Sequence, residues 1–460
     1  MRRLRHAQPT LWEGFLAEEV AELWEPWMRE VDEILEDDEL LSAVFEAQGE
    51  RRPQSHRLGR HQTPAEVVLR LLILKHVRNW SYETLEREVR ANLVYRNFCR
   101  IGLEKVPDAK TMVRLGQAIG HEVIVELHER IVELARLKGL ARGRKMRVDT
   151  TVVETNVHYP TDSSLLGDGA RVLTRVMNKV AVSKRGGLKS KVRDRMRSVK
   201  RRVLEIALAA RQKGPQGEER KKAAYRRLVS LTRRVVNQAE RVQAEVEKSR
   251  GKLKRLGDQM RKTIARVRQV IRQTAARVFR GEMHHPDKLV SLFEPHTEII
   301  RKGKASKPTE FGNMVQIQEA EGQLITCFAV FEKRPWDSEL LVPAVESHKR
   351  QFGRVPDLVA ADSAFYSKAN EDAVHEMGVR RVSIPNRNTR SPERRALQRS
   401  RWFKNGQKWR TGCEGRISVL KRRHGLWRCR YHGFEGMKRW VGFGVIADNL
   451  ISMGTQLARA

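Results

Sequence analysis

Residues 146–157 read MRVDTTVVETNV, a stretch rich in Val and Thr that predicts a β-strand in a chain whose pattern is otherwise mostly helical. Asp149 lies in the middle of this strand, between Val148 and Thr150. A charge at such a position costs free energy unless it is coordinated or hydrogen-bonded. We therefore take Asp149 as the first candidate for a functional carboxylate. Glu154 falls on the opposite face of the strand, and we interpret it as structural or solvent-facing.

Further strands are predicted beyond residue 300. Residues 310–318 and 324–333 flank the pair Glu321-Gly322, a pattern typical of a β-hairpin, and short apolar runs cover residues 358–361 and 381–384. Because these runs alternate with helical segments, we expect an antiparallel set made by the first strand and the hairpin, and later strands joined by helical crossovers. This order predicts a mixed α/β core.

Two more isolated acids stand out. Asp362 directly follows the run 358–361, at the carboxyl end of a strand, where sites on α/β sheets commonly lie. Glu414 is one of only three acids, against 19 basic residues, between positions 380 and 440. On a helix, Arg410 and Lys421 would project from nearly the same face as Glu414. A carboxylate flanked by two fixed cations can hold a metal ion while the cations neutralise a phosphate. The alternative for Arg410 and Glu414 is an ordinary surface pair, worth about a few tenths of a kcal/mol.

The charge of the chain predicts a polyanionic partner. There are 91 Lys and Arg residues against 56 Asp and Glu, a formal net charge of +35. Nucleic acid is favoured over an anionic membrane. The charge is also segregated, since residues 181–280 hold 32 basic and 8 acidic residues, whereas residues 11–50 hold 14 acidic and one basic. Segregation of this kind predicts separate functions for the segments.

Apolar residues between positions 171 and 281 step by three and four, which predicts a helical hairpin or coiled coil that is basic on its other faces. The sequence Gly-Pro-Gln-Gly at 214–217 interrupts this pattern. Two roles stay open for the segment. It could contact phosphates without reading sequence, or it could be a solvated rod that joins two copies of the chain.

The first 140 residues read as helical. Thr63 and Pro64 predict an N-cap and a first helical residue, and a second helix is predicted to start at Ser81. Two short helices joined by a tight turn suit a DNA-binding helix-turn-helix, and they suit packing inside a helical bundle equally well. No recognition helix is assigned.

Composition disfavours secreted and membrane-spanning proteins. Four cysteines without a C-x-x-C pair do not make a disulfide framework, which favours a reducing compartment. The N-terminus lacks the apolar stretch of a signal peptide. The longest apolar run, residues 67–77, contains Arg70 and Lys75 and is too short to cross a membrane. We expect a soluble, cytoplasmic protein.

Three segments resemble the acidic motifs of the DDE transposases of bacterial insertion sequences. They are Val148-Asp149-Thr150-Thr151, Ala361-Asp362-Ser363-Ala364-Phe365-Tyr366 and Arg410-x3-Glu414-x6-Lys421. In that family the last motif usually begins with Tyr three residues before the Arg, a position held here by Gln407. Residues 301–312, RKGKASKPTEFG, also resemble the phrase that precedes the second strand in these enzymes. The order and spacing of the motifs together carry the resemblance.

The resemblance implies an RNase H-like catalytic core and phosphoryl transfer by a two-metal mechanism. Asp149, Asp362 and Glu414 would be catalytic and would hold two Mg²⁺ ions, for which Mn²⁺ can substitute, and Arg410 and Lys421 would bind phosphates. The partner would be double-stranded DNA, at the element ends and at the target, and the chain would act as a homo-oligomer, a dimer on DNA, near the bacterial nucleoid and without a membrane. Two alternatives stay open: an RNase H-like nuclease without strand transfer, and a transposase-derived protein that binds DNA without cutting it.

The predicted organisation has four parts. A helical DNA-binding domain covers residues 1–140, the first strand of the α/β core lies in 141–170, a basic helical insertion covers 171–289, and the rest of the RNase H-like core covers 290–460. Asp149 and Asp362 are 213 residues apart, whereas Asp362 and Glu414 are 52 apart. The insertion is therefore expected between the first strand and the hairpin, where we expect it to follow element DNA or to bridge two protomers.

Overall fold

The predicted strand around Asp149 forms the middle of a mixed β-sheet in the computed structural model. This strand is β1 (Lys145–Glu154), and it pairs with one strand on each side. The next strand along the chain, β2 (Glu298–Arg301), lies at the edge of the sheet beside β3 (Thr309–Glu319). On one side β1 is antiparallel to β3, which is antiparallel to β4 (Ile325–Phe331). On the other side β1 is parallel to β5 (Leu358–Ala360), which is parallel to β6 (Arg381–Ser383). The predicted antiparallel set and the later crossover strands are therefore confirmed.

The hairpin between β3 and β4 turns at Gly322. Residues Glu321–Gln323 form a single 3₁₀ turn, in which Gly322 has φ +70°. A Cβ at this position would overlap the carbonyl oxygen of Leu140, so both the backbone conformation and the space require glycine. The hairpin turn predicted at Glu321-Gly322 is confirmed.

The structure describes residues 2–5, 18–50, 62–184, 187–283, 285, 288–301 and 309–459. The chain divides into two compact units, of which the first comprises the residues up to Asn156 and from Gly312 onward, and the second is Val157–Phe311. Residues 302–308, in the phrase that resembles the transposases, and residues 11–17 of the acidic stretch lie outside the described residues.

The first unit places helices before, between and after the strands of its sheet. In the described residues, seven helices precede β1: α1 (Pro26–Ile34), α2 (Asp38–Glu50), α3 (Ala65–Val77), α4 (Tyr82–Ala91), α5 (Leu93–Phe98), α6 (Ala109–Ala118) and α7 (His121–Leu137). The helices of the second unit are α8 (Asp162–Ser183), α9 (Met196–Ala209), α10 (Pro215–Val246) and α11 (Gly251–Phe279). Five more belong to the first unit: α12 (Leu341–Phe352), α13 (Lys368–Glu376), α14 (Pro392–Arg399), α15 (Arg401–Arg423) and α16 (Gly433–Leu457).

One hydrophobic core joins the N-terminal helices to the sheet of the first unit. The C-terminal helix α16 contacts α1, α3, α7 and β4 and is buried along most of its length. Its Asn449 exchanges two hydrogen bonds with the backbone of Ile325, at 2.9 and 2.8 Å, and so fixes the helix to the start of β4. Helix α3 is buried on all sides from Ala65 to His76, as the packing interpretation of this segment expects.

The starts of α3 and α4 each lie one residue after the position that the sequence predicts. Pro64 occupies the N-cap position of α3 with ψ 150° and the helix begins at Ala65, so the prediction of Thr63 as N-cap is wrong by one residue. The extended ψ of Pro64 delays the helix. Helix α4 begins at Tyr82, one residue after the predicted start, and Ser81 is its N-cap, because its hydroxyl oxygen accepts the N–H of Thr84 at 3.0 Å.

The second unit is a bundle of four helices around one core. The apolar residues predicted to form a narrow seam lie on α9, α10 and α11, and α10 begins at Pro215, after Gly214 with φ +97°. Helix α8 is the fourth helix that packs around this core, through residues such as Leu166, Leu173 and Met177. The prediction of a hairpin or coiled coil is therefore replaced by a four-helix bundle, because α8 was not included in that seam. No helix in the described part of the chain is both long and apolar enough to cross a membrane.

Candidate active site

Adjacent parallel strands bring the first two acids of the predicted site to one region of the sheet. Asp149 lies within β1, and its carboxylate accepts the N–H of Thr150 at 2.7 Å. Asp362 follows the end of β5, where its carboxylate accepts the N–H of Ala364 at 2.9 Å and caps the short 3₁₀ turn Ser363–Phe365. The predicted position of Asp362 at the carboxyl end of a strand is confirmed.

Two glycines allow helix α15 to approach the sheet closely. A Cβ at Gly406 would come within 2.7 Å of Ser383 on β6, and one at Gly412 would overlap the guanidinium of Arg147 on β1. Arg147 donates to both carboxylate oxygens of Glu319 at 2.7 and 3.0 Å, and to the carbonyl of Trp409 at 2.6 Å. These contacts fix α15 over β1.

Gln407, at the position where the family signature has Tyr, connects α15 to the ends of two strands. Its side-chain amide donates to the carbonyl of Ala361 at 3.2 Å, and it also contacts the carbonyl and the hydroxyl of Ser383. Ala361 immediately precedes Asp362. Gln407 therefore links α15 to the residue that precedes Asp362, a contact that the departure from the signature did not reveal.

Arg410 lies between the first and third acids. Its Nη1 is 3.5 Å from Oδ2 of Asp149, and its Nη2 donates to Oε1 of Glu414 at 2.8 Å. Only 13% of the Arg410 side chain and 14% of the Asp149 side chain are exposed, whereas 60% of Glu414 is exposed. The pair with Asp149 excludes the interpretation of Arg410 and Glu414 as an isolated surface pair.

The two other acids influence the pKa of Asp149. Burial raises the pKa of Asp149 to about 6, and the negative charges of Asp362 and Glu414 act in the same direction. The N–H of Thr150 and the guanidinium of Arg410 act in the opposite direction. Carboxylates arranged so that they repel one another are typical of sites that bind cations or move protons.

Lys421 lies farther along α15 and contacts a different group. Its ammonium lies 5.0 Å from the ring centre of Trp427, in a cation–π contact. Asp337 contacts the strand of Asp149, because its carboxylate accepts the hydroxyl of Thr150 at 2.8 Å. No motif in the sequence singles out Asp337.

A buried ionic network lies beneath the site. Arg416 donates to Asp448 of α16 at 2.9 Å and to Gln323 at 2.6 Å, and its Nε is 3.5 Å from the carboxylate of Glu319. Sequence analysis missed this network. The signal that could have found it is the charge of Asp448 inside the apolar stretch of α16.

Two family models match the chain. The model described as Transposase domain (DUF772) matches residues 25–117, and the model described as Transposase DDE domain matches residues 295–450. The chain belongs to the DDE transposases of insertion elements. Its mixed sheet with helices is the RNase H-like core of this family. The second match contains Asp362, Arg410, Glu414 and Lys421, whereas neither match includes Asp149 or residues 118–294.

One relative of known sequence matches about a quarter of this chain. Over 134 residues the chain is 31% identical to the "Uncharacterized protein ORF8 in nfe locus" of Rhizobium meliloti. The match covers 28% of this chain and 65% of that protein, so the chain spans less than two thirds of the relative's length. The printed name of the relative assigns no activity.

The acids of this DDE domain suit a hard divalent cation in their chemistry. Magnesium prefers carboxylate oxygens, and repulsion among Asp149, Asp362 and Glu414 is relieved by a bound cation. Among the described residues, no three His, Cys, Asp or Glu side chains stand together closely enough to enclose a metal ion. The positive charge that two of the acids share here is the guanidinium of Arg410.

Proposed function

We propose that this chain cuts DNA at the ends of an insertion element and joins the freed ends to a target DNA. The observation that carries the proposal is the arrangement of Asp149 and Glu414 on either side of Arg410, with Asp362 just after the neighbouring parallel strand β5. Membership of the DDE transposases supports the same assignment. A protein that only binds DNA gains nothing from carboxylates that repel one another.

The three carboxylates would hold Mg²⁺, with two ions per site and Mn²⁺ as a substitute. When bound, the ions would lower the pKa of an attacking oxygen and stabilise the negative charge on the leaving oxygen. Ligation by Asp149 and Glu414 requires their pairs with Arg410 to open, because the guanidinium occupies the carboxylate oxygens that a metal would use.

The reaction proceeds in two phosphoryl transfers. In the first, a water oxygen attacks the phosphorus at the element end, loses its proton, and displaces the element's 3′ oxygen, which leaves as a 3′-hydroxyl. In the second, this 3′-hydroxyl attacks a phosphorus of the target strand, and the target's own 3′ oxygen leaves with the proton. Neither step needs a covalent bond between DNA and protein.

Basic residues supply the contacts with DNA in this proposal. Arg410 and Lys421 would bind phosphates beside the reacting strand, since a guanidinium and an ammonium both form charge-assisted hydrogen bonds to phosphate oxygens. The basic four-helix unit would follow element DNA or join two protomers. Binding that rests on such contacts falls steeply with salt concentration.

A cleavage and strand-transfer assay tests the proposal. Full-length protein would be incubated with duplexes that carry the terminal repeats found beside its gene, a target plasmid, and Mg²⁺ or Mn²⁺. We expect nicked ends first and joined products later. If nicked ends accumulate and no joined product forms under any of these conditions, the nuclease alternative is correct; if DNA is bound but not cut, the chain is a binding protein derived from a transposase.

A further inference from the structure

Helix α3 buries two basic side chains, of which only one has acidic partners. Arg70 is fully buried, hydrogen-bonds to Asp32, and lies 3.4 Å from the carboxylate of Glu66. Lys75 is 2% exposed, one turn and a half farther along the same helix. Its ammonium has no hydrogen bond or ion pair to any residue in the described part of the chain. A buried charge without a counterion is costly, so the site of Lys75 needs an explanation.

Aromatic rings surround Lys75 on one side. Its Nζ lies 4.8 Å from the ring centre of Tyr82, and 5.0 Å from those of Tyr431 and Trp440. Burial, and then the charge of Arg430, lower the pKa of Lys75 to about 7. Cation–π contacts reduce the cost of burying an ammonium but do not neutralise it.

Lys75 also lines, together with Tyr82 and Tyr431, a cavity of about 300 Å³ whose lining carries more positive than negative charge. Arg430 and Arg439 also line this cavity, and each donates one hydrogen bond to a backbone carbonyl, at Asn79 and Gly116 respectively. Neither guanidinium forms an ion pair with a described acid, and the Nε of Arg439 is buried without a partner. Glu83 is the one acid among the described residues that line the cavity.

We propose that this cavity binds the phosphate group of a nucleotide. Two guanidiniums, together with Lys75 in its protonated form, face one acid and leave an excess of positive charge that an anion would neutralise. An arginine fork together with a lysine ammonium is suited to phosphate oxygens. The ring of Trp80 lines the same cavity and is an aromatic group on which a base can stack. The volume is at the lower end of that of small-molecule sites, about 300 to 1,000 Å³. The site is separate from the three acids and does not depend on their chemistry.

Calorimetric titration of the full-length chain tests this site. The probes are deoxyadenosine monophosphate, inorganic phosphate and unphosphorylated deoxyadenosine, at low ionic strength and neutral pH. We expect the nucleotide to bind most tightly, phosphate more weakly, and the nucleoside most weakly of the three. Absence of binding by both phosphorylated probes, or equal binding of nucleotide and nucleoside, would overturn the proposal.

Substitutions locate the binding. Lys75→Met keeps the length of the side chain and removes the charge, so the dissociation constant of the nucleotide should rise about tenfold or more. Lys110→Met, an exposed lysine on α6, is the matched control and should leave it unchanged. If Lys75→Met does not fold, the exposed Arg430→Gln replaces it, with a several-fold rise expected. Equal affinity of the folded pocket variants and the control would overturn the proposal.

A duplex distinguishes a free nucleotide from a nucleotide within DNA. If the cavity takes part of a DNA strand, the nucleotide should compete with a duplex, and Lys75→Met should weaken duplex binding more than Lys110→Met does. If the ligand is a free nucleotide, duplex affinity should be the same in both variants while nucleotide affinity differs. Either result supports the cavity as the phosphate site.

Discussion

Arg410 of helix α15 places its guanidinium 3.5 Å from the carboxylate of Asp149 on strand β1. The two residues are 261 positions apart in the sequence, and their side chains are both largely buried. The same guanidinium also pairs with Glu414. The guanidinium of Arg410 therefore neutralises part of the negative charge that the proposed Mg²⁺ ions would bind. Arg410 and the metal compete for the same carboxylates.

Replacement of Arg410 by Gln should strengthen the binding of Mn²⁺ to the protein without DNA. The reason is that Asp149 and Glu414 lose the positive charge with which the metal must compete. Electron paramagnetic resonance of free Mn²⁺ measures the dissociation constant directly. Lys408→Gln, an exposed residue on the same helix, serves as the control. Weaker Mn²⁺ binding in Arg410→Gln than in Lys408→Gln would contradict the competition.

Each of the substitutions Asp149→Asn, Asp362→Asn and Glu414→Gln should lower the rate of strand cleavage by more than about 100-fold. Residues that only orient metal ligands are already worth about 10- to 100-fold, and a ligand should be worth more. Duplex affinity in a gel-shift assay should change little. Glu154→Gln, at the end of the same strand as Asp149, should cut at the normal rate. A variant that retains full cleavage removes its residue from the catalytic set.

Replacement of Gln407 by Leu should destabilise the junction of α15 with the strand ends. The carbonyls of Ala361 and Ser383 lose an amide donor, and an unsatisfied buried group costs about 1 to 3 kcal/mol. Urea unfolding monitors the change, with the exposed Lys408→Leu as control. Because Ala361 precedes Asp362, we also expect cleavage to slow more than binding of DNA. Equal stability of the two variants would contradict the expected effect of these hydrogen bonds.

Replacement of Arg147 by Met should destabilise the first unit by at most about 3 to 5 kcal/mol, the cost of breaking a buried ion pair, because the fully buried Glu319 keeps Arg416, at 3.5 Å, as its remaining cation. Burial already raises the pKa of Glu319, and Arg147 opposes that shift. Combining Arg147→Met with Glu319→Leu removes the carboxylate that has lost its bidentate partner and should recover part of the loss. Urea denaturation of the three proteins gives both quantities. A double variant less stable than Arg147→Met would contradict this explanation.

The stability of the wild-type protein relative to Lys75→Met should increase with pH between about 7 and 10.5. Burial lowers the pKa of Lys75 from 10.5 to about 7, with Arg430 acting in the same direction and Glu83 in the opposite one. In that window the unfolded chain binds more protons than the folded chain, so raising the pH favours folding, by at most about 1.4 kcal/mol per pH unit. Melting temperatures measured at several pH values, with Lys110→Met as control, reveal the slope. A flat difference would contradict a neutral Lys75.

Sequence predicts the strands and the three acids well because their signals are local. A run of β-branched residues around Asp149, and a single acid among many bases at Glu414, can be recognised without knowing what packs nearby. Long-range contacts carry no such signal. The pairing of Arg410 with Asp149, the hydrogen bonds of Gln407 and the role of Asp448 depend on how α15 and α16 lie against the sheet.

The packing of the helices could not be predicted from the sequence for the same reason. Apolar spacing predicts that α10 and α11 each have a buried face, but not that α8 completes the bundle. Lys75 and Arg70 both interrupt one apolar run, and the sequence does not tell which of them has an acidic partner. That difference is decided by residues more than 30 positions away, such as Asp32 for Arg70.

The pairing of Glu154 with Gly312 in the ladder between β1 and β3 has a consequence for how such a gene can change. The 155 residues assigned to the second unit, Val157–Phe311, leave β1 and enter β3 within a few residues of one rung of this ladder, and they include the edge strand β2. A short turn could therefore replace the whole unit, β2 included, without moving the residues of β1 and β3 that pair with each other, since the entropy of closing a loop grows only slowly with its length. The unit is in this sense an insertion that a gene could gain or lose while it keeps the strand that carries Asp149.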